Sequence, residues 1–263
     1  MALTFPTTAL KQPSGVTGIP SGFKRPAFGT LYGFDAQGGG GAPAFSNTYS
    51  CDLDGANDRA STSVGHAGGA GAIYIAGEYT ISCWFKCTSG AGWDLIGSGS
   101  GGVAWYFGLA KIPLETNAYY KQGGGQGTSS SASVITYNAW HHLFIARDSA
   151  DDIKVYLDGN GTAIASNSDA SLMPFDYIGV YHNGAGDPFK GQVDEFAIWD
   201  SDQTSNLSAI YSGGVADSLE PFSPLHWWRM EEGTGTTVAD SGSAANNPLN
   251  LNNGAGFSTD VPA

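Results

Sequence analysis

Short stretches of alternating apolar and polar residues, each ended by glycine or Asp-Gly, organise the second half of the chain. Asn138-Ala-Trp-His-His-Leu-Phe-Ile-Ala-Arg147 is followed by Ile153-Lys-Val-Tyr-Leu-Asp-Gly159, and later by Phe189-Lys-Gly-Gln-Val-Asp-Glu-Phe-Ala-Ile-Trp-Asp200. A period of two places Leu143 and Ile145 on one face of a strand, with Val155 and Leu157 on the same face of its neighbour. Asp158-Gly159 supplies the positive φ that a tight turn requires. The same reading predicts strands over 49–54, 78–87, 93–98, 103–109, 117–121, 131–136, 140–147, 153–158, 162–166, 175–180 and 190–199. One short helix is expected near 204–211, where Leu207, Ile210 and Tyr211 form a single stripe. Eleven short strands suit two packed sheets.

These segments carry a resemblance. The Trp-His strand with its Arg147-Asp148, the Lys-Val-Tyr-Leu-Asp-Gly strand and the Asp-Glu strand follow the order of the laminin G-like branch of the concanavalin A-like lectin/glucanase superfamily. Tyr49-Ser-Cys-Asp-Leu-Asp-Gly-Ala-Asn-Asp58 and Tyr79-Thr-Ile-Ser-Cys-Trp-Phe85 resemble two further strands of that family. Trp228-Arg-Met-Glu-Glu-Gly-Thr-Gly235 with Val238-Ala-Asp240 resembles an element that in many members precedes the first of these; here it comes last. The resemblance implies an all-β, two-sheet antiparallel jelly-roll sandwich with an N-terminal arm and a C-terminal strand element. The expected boundaries are an extended arm over 1–45, the sandwich over 46–219, and a C-terminal element over 220–263 that completes it or is lent to a neighbouring subunit.

Composition narrows the function classes. The net charge of −13 argues against nucleic acid and against anionic membrane surfaces as partners. Residues 1–45 hold Lys11, Lys24 and Arg25 against Asp35 alone, so the arm is cationic and the remainder strongly acidic. Five prolines and the Gly38–Gly41 run leave the arm without a core of its own, and Phe5, Phe23, Lys24, Arg25, Phe28 and Tyr32 are its candidate anchoring residues. The start of the chain lacks a secretory signal pattern, and no apolar run reaches the ~20 residues of a membrane helix. Cys83 and Cys87 fall on one face of one strand, too far apart to pair, while a bridge between Cys51 and Cys83 stays open. Reduced thiols are expected.

Candidate chemistry is sparse. Retaining glycosidases need two carboxylates ~5 Å apart, whereas Asp194-Glu195 and Glu231-Glu232 are adjacent pairs that an ordinary strand would send to opposite faces. His141 and His142 diverge for the same reason, one packed and one solvated, and Trp140 is expected in the core. Calcium is the candidate cofactor, since laminin G-like relatives include calcium binders, with Asp54, Asp58 and Asp194 as its ligands. Trp93, Trp105, Tyr119, Tyr181 and His182 are the candidate carbohydrate-binding residues.

The ending Phe257-Ser-Thr-Asp-Val-Pro262, on a laminin G-like pattern, resembles virion proteins of marine tailed bacteriophages. That resemblance implies a non-enzymatic virion structural protein, assembled in the host cytoplasm as a homo-oligomer. Its arm would anchor on capsid or tail proteins, as a capsid decoration, cement or fibre-type protein, and the sandwich would meet host-surface glycans. The alternative is a secreted bacterial carbohydrate-binding module or adhesin.

Overall fold

The computed structural model describes residues 45–62, 73–88, 94–98, 105–109, 118–121, 128–130, 133–180 and 188–263. The anchoring residues proposed in the arm lie outside this set, as do Trp93, Tyr181 and His182. The chain begins with β1 (Ser50–Asp54), β2 (Arg59–Thr62), β3 (Ile73–Ile75) and β4 (Tyr79–Cys87). Then come β5 (Asp94–Ser98), β6 (Trp105–Leu109), β7 (Ala118–Lys121) and β8 (Thr128–Ser129). The middle supplies β9 (Trp140–Arg147), β10 (Asp152–Leu157), β11 (Ala165–Ser168), β12 (Met173–Phe175), β13 (Tyr177–Ile178) and β14 (Lys190–Trp199). After the short helix α1 (Leu207–Tyr211) follow β15 (His226–Trp228), β16 (Thr237–Val238), β17 (Leu249–Asn252) and β18 (Gly256–Ser258).

Two antiparallel sheets face each other. Sheet A runs β11-β10-β9-β4-β14-β1-β18, and sheet B runs β16-β17-β2-β13-β5-β6-β7-β8; β3 and β12 make a separate ribbon. β14 changes neighbours along its length. Its first half pairs with β1, Val193 opposite Cys51, and its second half with β15, Phe196 opposite Trp228. On its other side, against β4, the register slips between Asp194 and Ala197, and Glu195 takes φ +46. This is a β-bulge, with one extra residue let out of the ladder.

The bulge decides what β14 buries. Val193, Phe196 and Ile198 all enter the core between the sheets, a sequence an unbroken period of two would forbid. There they join Cys51, Leu53, Ile81, Cys83, Phe85, Leu143, Ile145, Val155 and Leu157 of sheet A and Ala60, Ile178, Leu249 and Leu251 of sheet B. A second cluster covers the outer side of sheet A. Phe144, Ala146, Tyr156, Ala197, Trp199 and Trp227 pack there under Leu207 and Ile210 of α1 and under Leu219, with Phe45 and Phe222 at the margin. β4 and β9 are therefore buried on both faces, and the expected polar alternation is lost in them.

Several expected strands shift. Residues 133–136 pair with no strand, although Ile135 is buried, and the ladder there is β8 instead. The predicted 162–166 strand starts later, at Ala165, after the turn through Asp158 (φ +52) and Gly159 (φ +66). The predicted 175–180 strand divides at Asp176, because β12 belongs to the ribbon and β13 to sheet B. β2 and β3 went unpredicted; in β2 only Ala60 and Thr62 turn inward, too small an apolar signal to show in the sequence. The C-terminal element joins both sheets of its own chain: β15 on β14, β17 on β2 and β18 on β1.

Candidate functional site

The two sheets differ in what their outer faces offer. One end of sheet A's outer face lies under α1 and the second apolar cluster. At the other end Asp260 accepts hydrogen bonds from Lys86 Nζ and from Trp140 Nε1, and Ser50 Oγ donates to the Asp260 carbonyl. Trp140 is consequently half-buried beneath the C-terminal tail, with Lys86 5.7 Å from its ring centre, and is absent from both core clusters, contrary to expectation.

Sheet B presents a different pattern. One row of its ladder aligns Leu251, Ala60, Ile178, Ile96, Phe107 and Tyr120, of which Leu251, Ala60 and Ile178 enter the core. The alternate row of the ladder aligns Thr237, Asn250, Ser61, Tyr177, Gly97, Tyr106 and Lys121, with Asn252 opposite Arg59 and Gly108 opposite Tyr119; Tyr177 in this row is buried, so the row is not open along its whole length. Asn250, Asn252, Arg59 and Ser61 are half-buried, and Asn252 Nδ2 donates to Ser61 Oγ at 3.0 Å and to the Asn250 carbonyl at 2.7 Å. Two amides, a hydroxyl and a guanidinium thus share one face at the β17–β2 end of sheet B. Such a surface can donate and accept hydrogen bonds along a polyhydroxylated ligand.

The carbohydrate-binding candidates from the sequence fare unevenly. Tyr119 lies in β7 opposite Gly108, and Trp105 lies in β6 opposite Ser98. Asn250, Asn252, Arg59, Ser61 and Tyr106 were missed. The alternation of Leu249-Asn-Leu-Asn252 would have found the first two. A smaller cleft of about 200 Å³ lies among Glu220, Ser223, Trp227, Ser241 and Ser243. Trp227 there is 3% exposed and already donates its N–H to Glu195, so the cleft offers no open ring.

The acidic pair in β14 does not diverge as an ordinary strand would require. The bulge turns both carboxyls to the outer side of sheet A, where each is held. Asp194 accepts from Asn47 Nδ2 (2.9 Å) and from the Glu195 N–H (2.9 Å). Glu195 accepts from Trp227 Nε1 (2.6 Å) and lies 3.5 Å from Arg229 Nε. Both are almost wholly buried, and burial pushes both carboxyls well above their ordinary range. Glu231, from the adjacent pair, accepts the N–H groups of Thr48 and Tyr49.

Both histidines of the Trp-His-His strand are buried, at 7% and 1% exposure, which corrects the expectation of one solvated ring. Asp158 holds them: Oδ2 lies 2.8 Å from His141 Nδ1 and Oδ1 accepts the His142 N–H. His141 Nε2 accepts the Thr136 N–H, and His142 Nε2 is 2.8 Å from Ser82 Oγ. Burial lowers the His142 pKa to about 4, so the ring is neutral. His226 bonds Asp240 at 2.6 Å. Burial pushes Asp240 upward, but hydrogen bonds from His226 and from the Trp227 and Gly242 N–H groups outweigh it and hold the carboxyl below its ordinary value.

The calcium set is not assembled. Asp54 Oδ1 accepts the Ala56 N–H and Asp58 Oδ2 the Asp54 N–H, which is ordinary turn chemistry. Asp54 pairs with Lys190, four residues along β14 from Asp194, or about 13 Å at strand rise. Asp58 Oδ1 is buried and unpartnered, yet among the described residues no three His, Cys, Asp or Glu side chains converge on one point. All three cysteines are buried free thiols, Cys51 and Cys83 included.

A family profile described as "Concanavalin A-like lectin/glucanases superfamily", of the laminin G type, matches residues 54–206, more than half of the chain. The chain belongs to that superfamily. Among solved structures, this concanavalin A-like chain is similar to a provisionally assigned carbohydrate-binding protein from Bacteroides ovatus ATCC 8483, at 17% identity and a TM-score of 0.60, over 83% of this chain and 62% of that one. Mouse laminin α1 domains LG4-5 align at 16% identity and TM-score 0.43, over 58% of this chain and 41% of theirs. Domain 4 of the arabinanase AbnA from Geobacillus stearothermophilus, solved with arabinotriose, aligns at 18% identity and TM-score 0.39, over 56% of this chain and 75% of that domain. The chain thus spans less than two thirds of the first two. No curated protein sequence matches it.

Proposed function

We propose that this concanavalin A-like domain is a non-enzymatic, lectin-like module that binds a saccharide across the outer face of sheet B. The observation that carries the reading is the contrast between the two outer faces. Sheet A's is capped by α1, apolar side chains and the C-terminal tail, while at the β17–β2 end of sheet B Asn250, Asn252, Ser61 and Arg59 are only half-buried, and β6 and β7 of the same sheet carry Tyr106, Tyr119 and Lys121. The similarity in fold to the Bacteroides protein, assigned as carbohydrate-binding, supports it. The non-enzymatic part draws support from Asp194 and Glu195, which are buried, Asp194 holding Asn47 and a backbone N–H and Glu195 holding Trp227 through Oε2.

The finer reading places the module on a virus particle, held by residues 1–45, on the strength of the bacteriophage-like ending Phe257–Pro262. Two experiments test these levels. A glycan array followed by calorimetry should find a ligand whose affinity falls about tenfold or more in Asn250→Ala/Ser61→Ala and in Tyr106→Ala, as expected when paired hydrogen bonds or a stacking ring are lost. An array without hits would remove the saccharide reading. Deleting residues 1–45 should abolish incorporation into particles; unchanged incorporation would remove the anchoring role and favour a bacterial carbohydrate-binding module.

A further inference from the structure

At the end of sheet A away from α1, the ladder aligns Trp140 of β9, Lys86 of β4, Gln192 of β14 and Asp52 of β1 in one row across four strands. The neighbouring row, His141, Phe85, Val193 and Cys51, is buried within the protein. By the period of two the first row therefore faces outward, and none of its four side chains is buried.

Trp140 is the unusual member. An indole that serves stability does so by packing its ring among apolar side chains, yet this ring belongs to neither apolar cluster. Lys86 Nζ lies 5.7 Å from its centre, and Asp260 Oδ1 accepts its Nε1–H at 3.0 Å. Further along the row, Gln192 donates from Nε2 to Asp52 Oδ1 at 2.5 Å. An aromatic ring, an ammonium, an amide and a carboxylate thus stand in line, the groups with which a protein face stacks a sugar ring and bonds the polar substituents beside it.

The chain's own carboxylate now occupies the cationic end of this row. The ladder between β18 and β1 ends at Ser258, and residues 259–263 are attached through Asp260 and the buried Pro262. The Asp260 carbonyl accepts Ser50 Oγ, its N–H donates to Ser258 Oγ, and its carboxylate takes Lys86 Nζ and Trp140 Nε1 as donors. Its side chain is still 45% exposed, so this carboxylate sits at the solvent edge, where a soluble one can exchange for it.

The geometry points to a second ligand site here: the row Trp140, Lys86, Gln192 and Asp52 takes a carboxylated sugar, a uronic acid unit, and Asp260 is a built-in competitor that fills the site in its absence. The ligand's carboxylate replaces that of Asp260 on Lys86 Nζ and Trp140 Nε1, and its ring hydroxyls reach toward Gln192 and Asp52. Asp52 stands two strands from Lys86, about 10 Å at the usual strand spacing, so it meets hydroxyls rather than the ligand's charge. This site lies on the sheet opposite the saccharide face proposed above and does not depend on it.

Calorimetry on the full chain, with glucuronate and with glucose, tests this. A tethered competitor has a high effective concentration and masks the site. Asp260→Ala should therefore bind glucuronate at least tenfold more tightly than the unaltered chain, with no gain for glucose, and Lys86→Ala added to it should abolish the gain. Asp260→Asn, which keeps the side chain's shape and loses its charge, replaces Asp260→Ala should that variant fail to fold. Asn250→Ala/Ser61→Ala should leave the gain intact, which separates this site from the one on sheet B. The inference is overturned by undetectable or unchanged glucuronate binding in the Asp260 variant, by an equal gain for glucose, by a gain that survives Lys86→Ala, or by one lost with Asn250 and Ser61.

Discussion

Tyr211 of α1 lies over Trp84 of β4, ring centroids 5.7 Å apart and planes 24° from parallel. The same ring also meets the Asp158-Gly159 turn, where a Cβ on Gly159 would run into it and where φ is +66. Gly159→Ala therefore combines a clash with left-handed strain, and should lower the unfolding free energy by about 1–3 kcal/mol in a denaturant titration. Tyr211→Ala in the same background should recover the clash but not the strain; an unchanged midpoint in the single variant would mean the turn has room to relax.

His142 makes stability depend on acid. Its folded pKa is about 4, below the ordinary histidine value of 6.5, so the unfolded chain binds a proton that the folded one refuses between those values. Stability contributed by the neutral ring is present above about pH 6.5 and is lost as pH falls toward 4, by up to about 3 kcal/mol at 1.36 kcal/mol per pKa unit. The expected result for His142→Gln is a flatter stability profile between pH 4 and 6.5, read from thermal melts across that range. The Asp194–Glu195 pair slopes the opposite way, favouring the folded state on the acid side.

Arg147 is fully buried and serves three carbonyls: Nε donates to Gly77, and Nη1 to Asp169 and Ser171. Its guanidinium also lies 4.9 Å over the Tyr79 ring. A lysine carries a point charge in place of this planar fork. Arg147→Lys should cost about 2 kcal/mol or more and loosen the 169–171 loop, visible as faster proteolysis there.

Cys51, Cys83 and Cys87 should be inert in the native protein. All three are 0% exposed, and burial pushes the Cys87 thiol up to about 12 and the other two higher still. Thiolate, the reactive form, is then negligible at pH 8. A thiol reagent should label none of them until denaturant is added, then all three; rapid native labelling of even one would contradict the burial described.

Period-two patterning revealed the strands whose inner faces are large and apolar, β4, β9, β10 and β14, to within a residue or so of their ends. It missed β2, where alanine and threonine face the core, and it misjudged Asp194-Glu195, because a bulge leaves no mark in a hydrophobicity pattern. His141 and His142 misled for a related reason: α1 and Asp158 bury positions that an open sheet would have left wet. The outer face of sheet B was half legible. Tyr119 was chosen for its ring, while Asn250 and Ser61 become neighbours of one another only through a pairing 189 positions apart in sequence, between β17 and β2.

The same long-range pairing governs how the molecule is made. β1 has Cys51 between Val193 on one side and Phe257 on the other, so the first of the described strands waits for the last of them, β18. Until residue 258 has left the ribosome, that strand keeps an open edge, and loop closure over some two hundred residues must precede its final pairing. Folding of the sandwich should therefore be slow, with an exposed sheet edge for chaperones to shield during the wait.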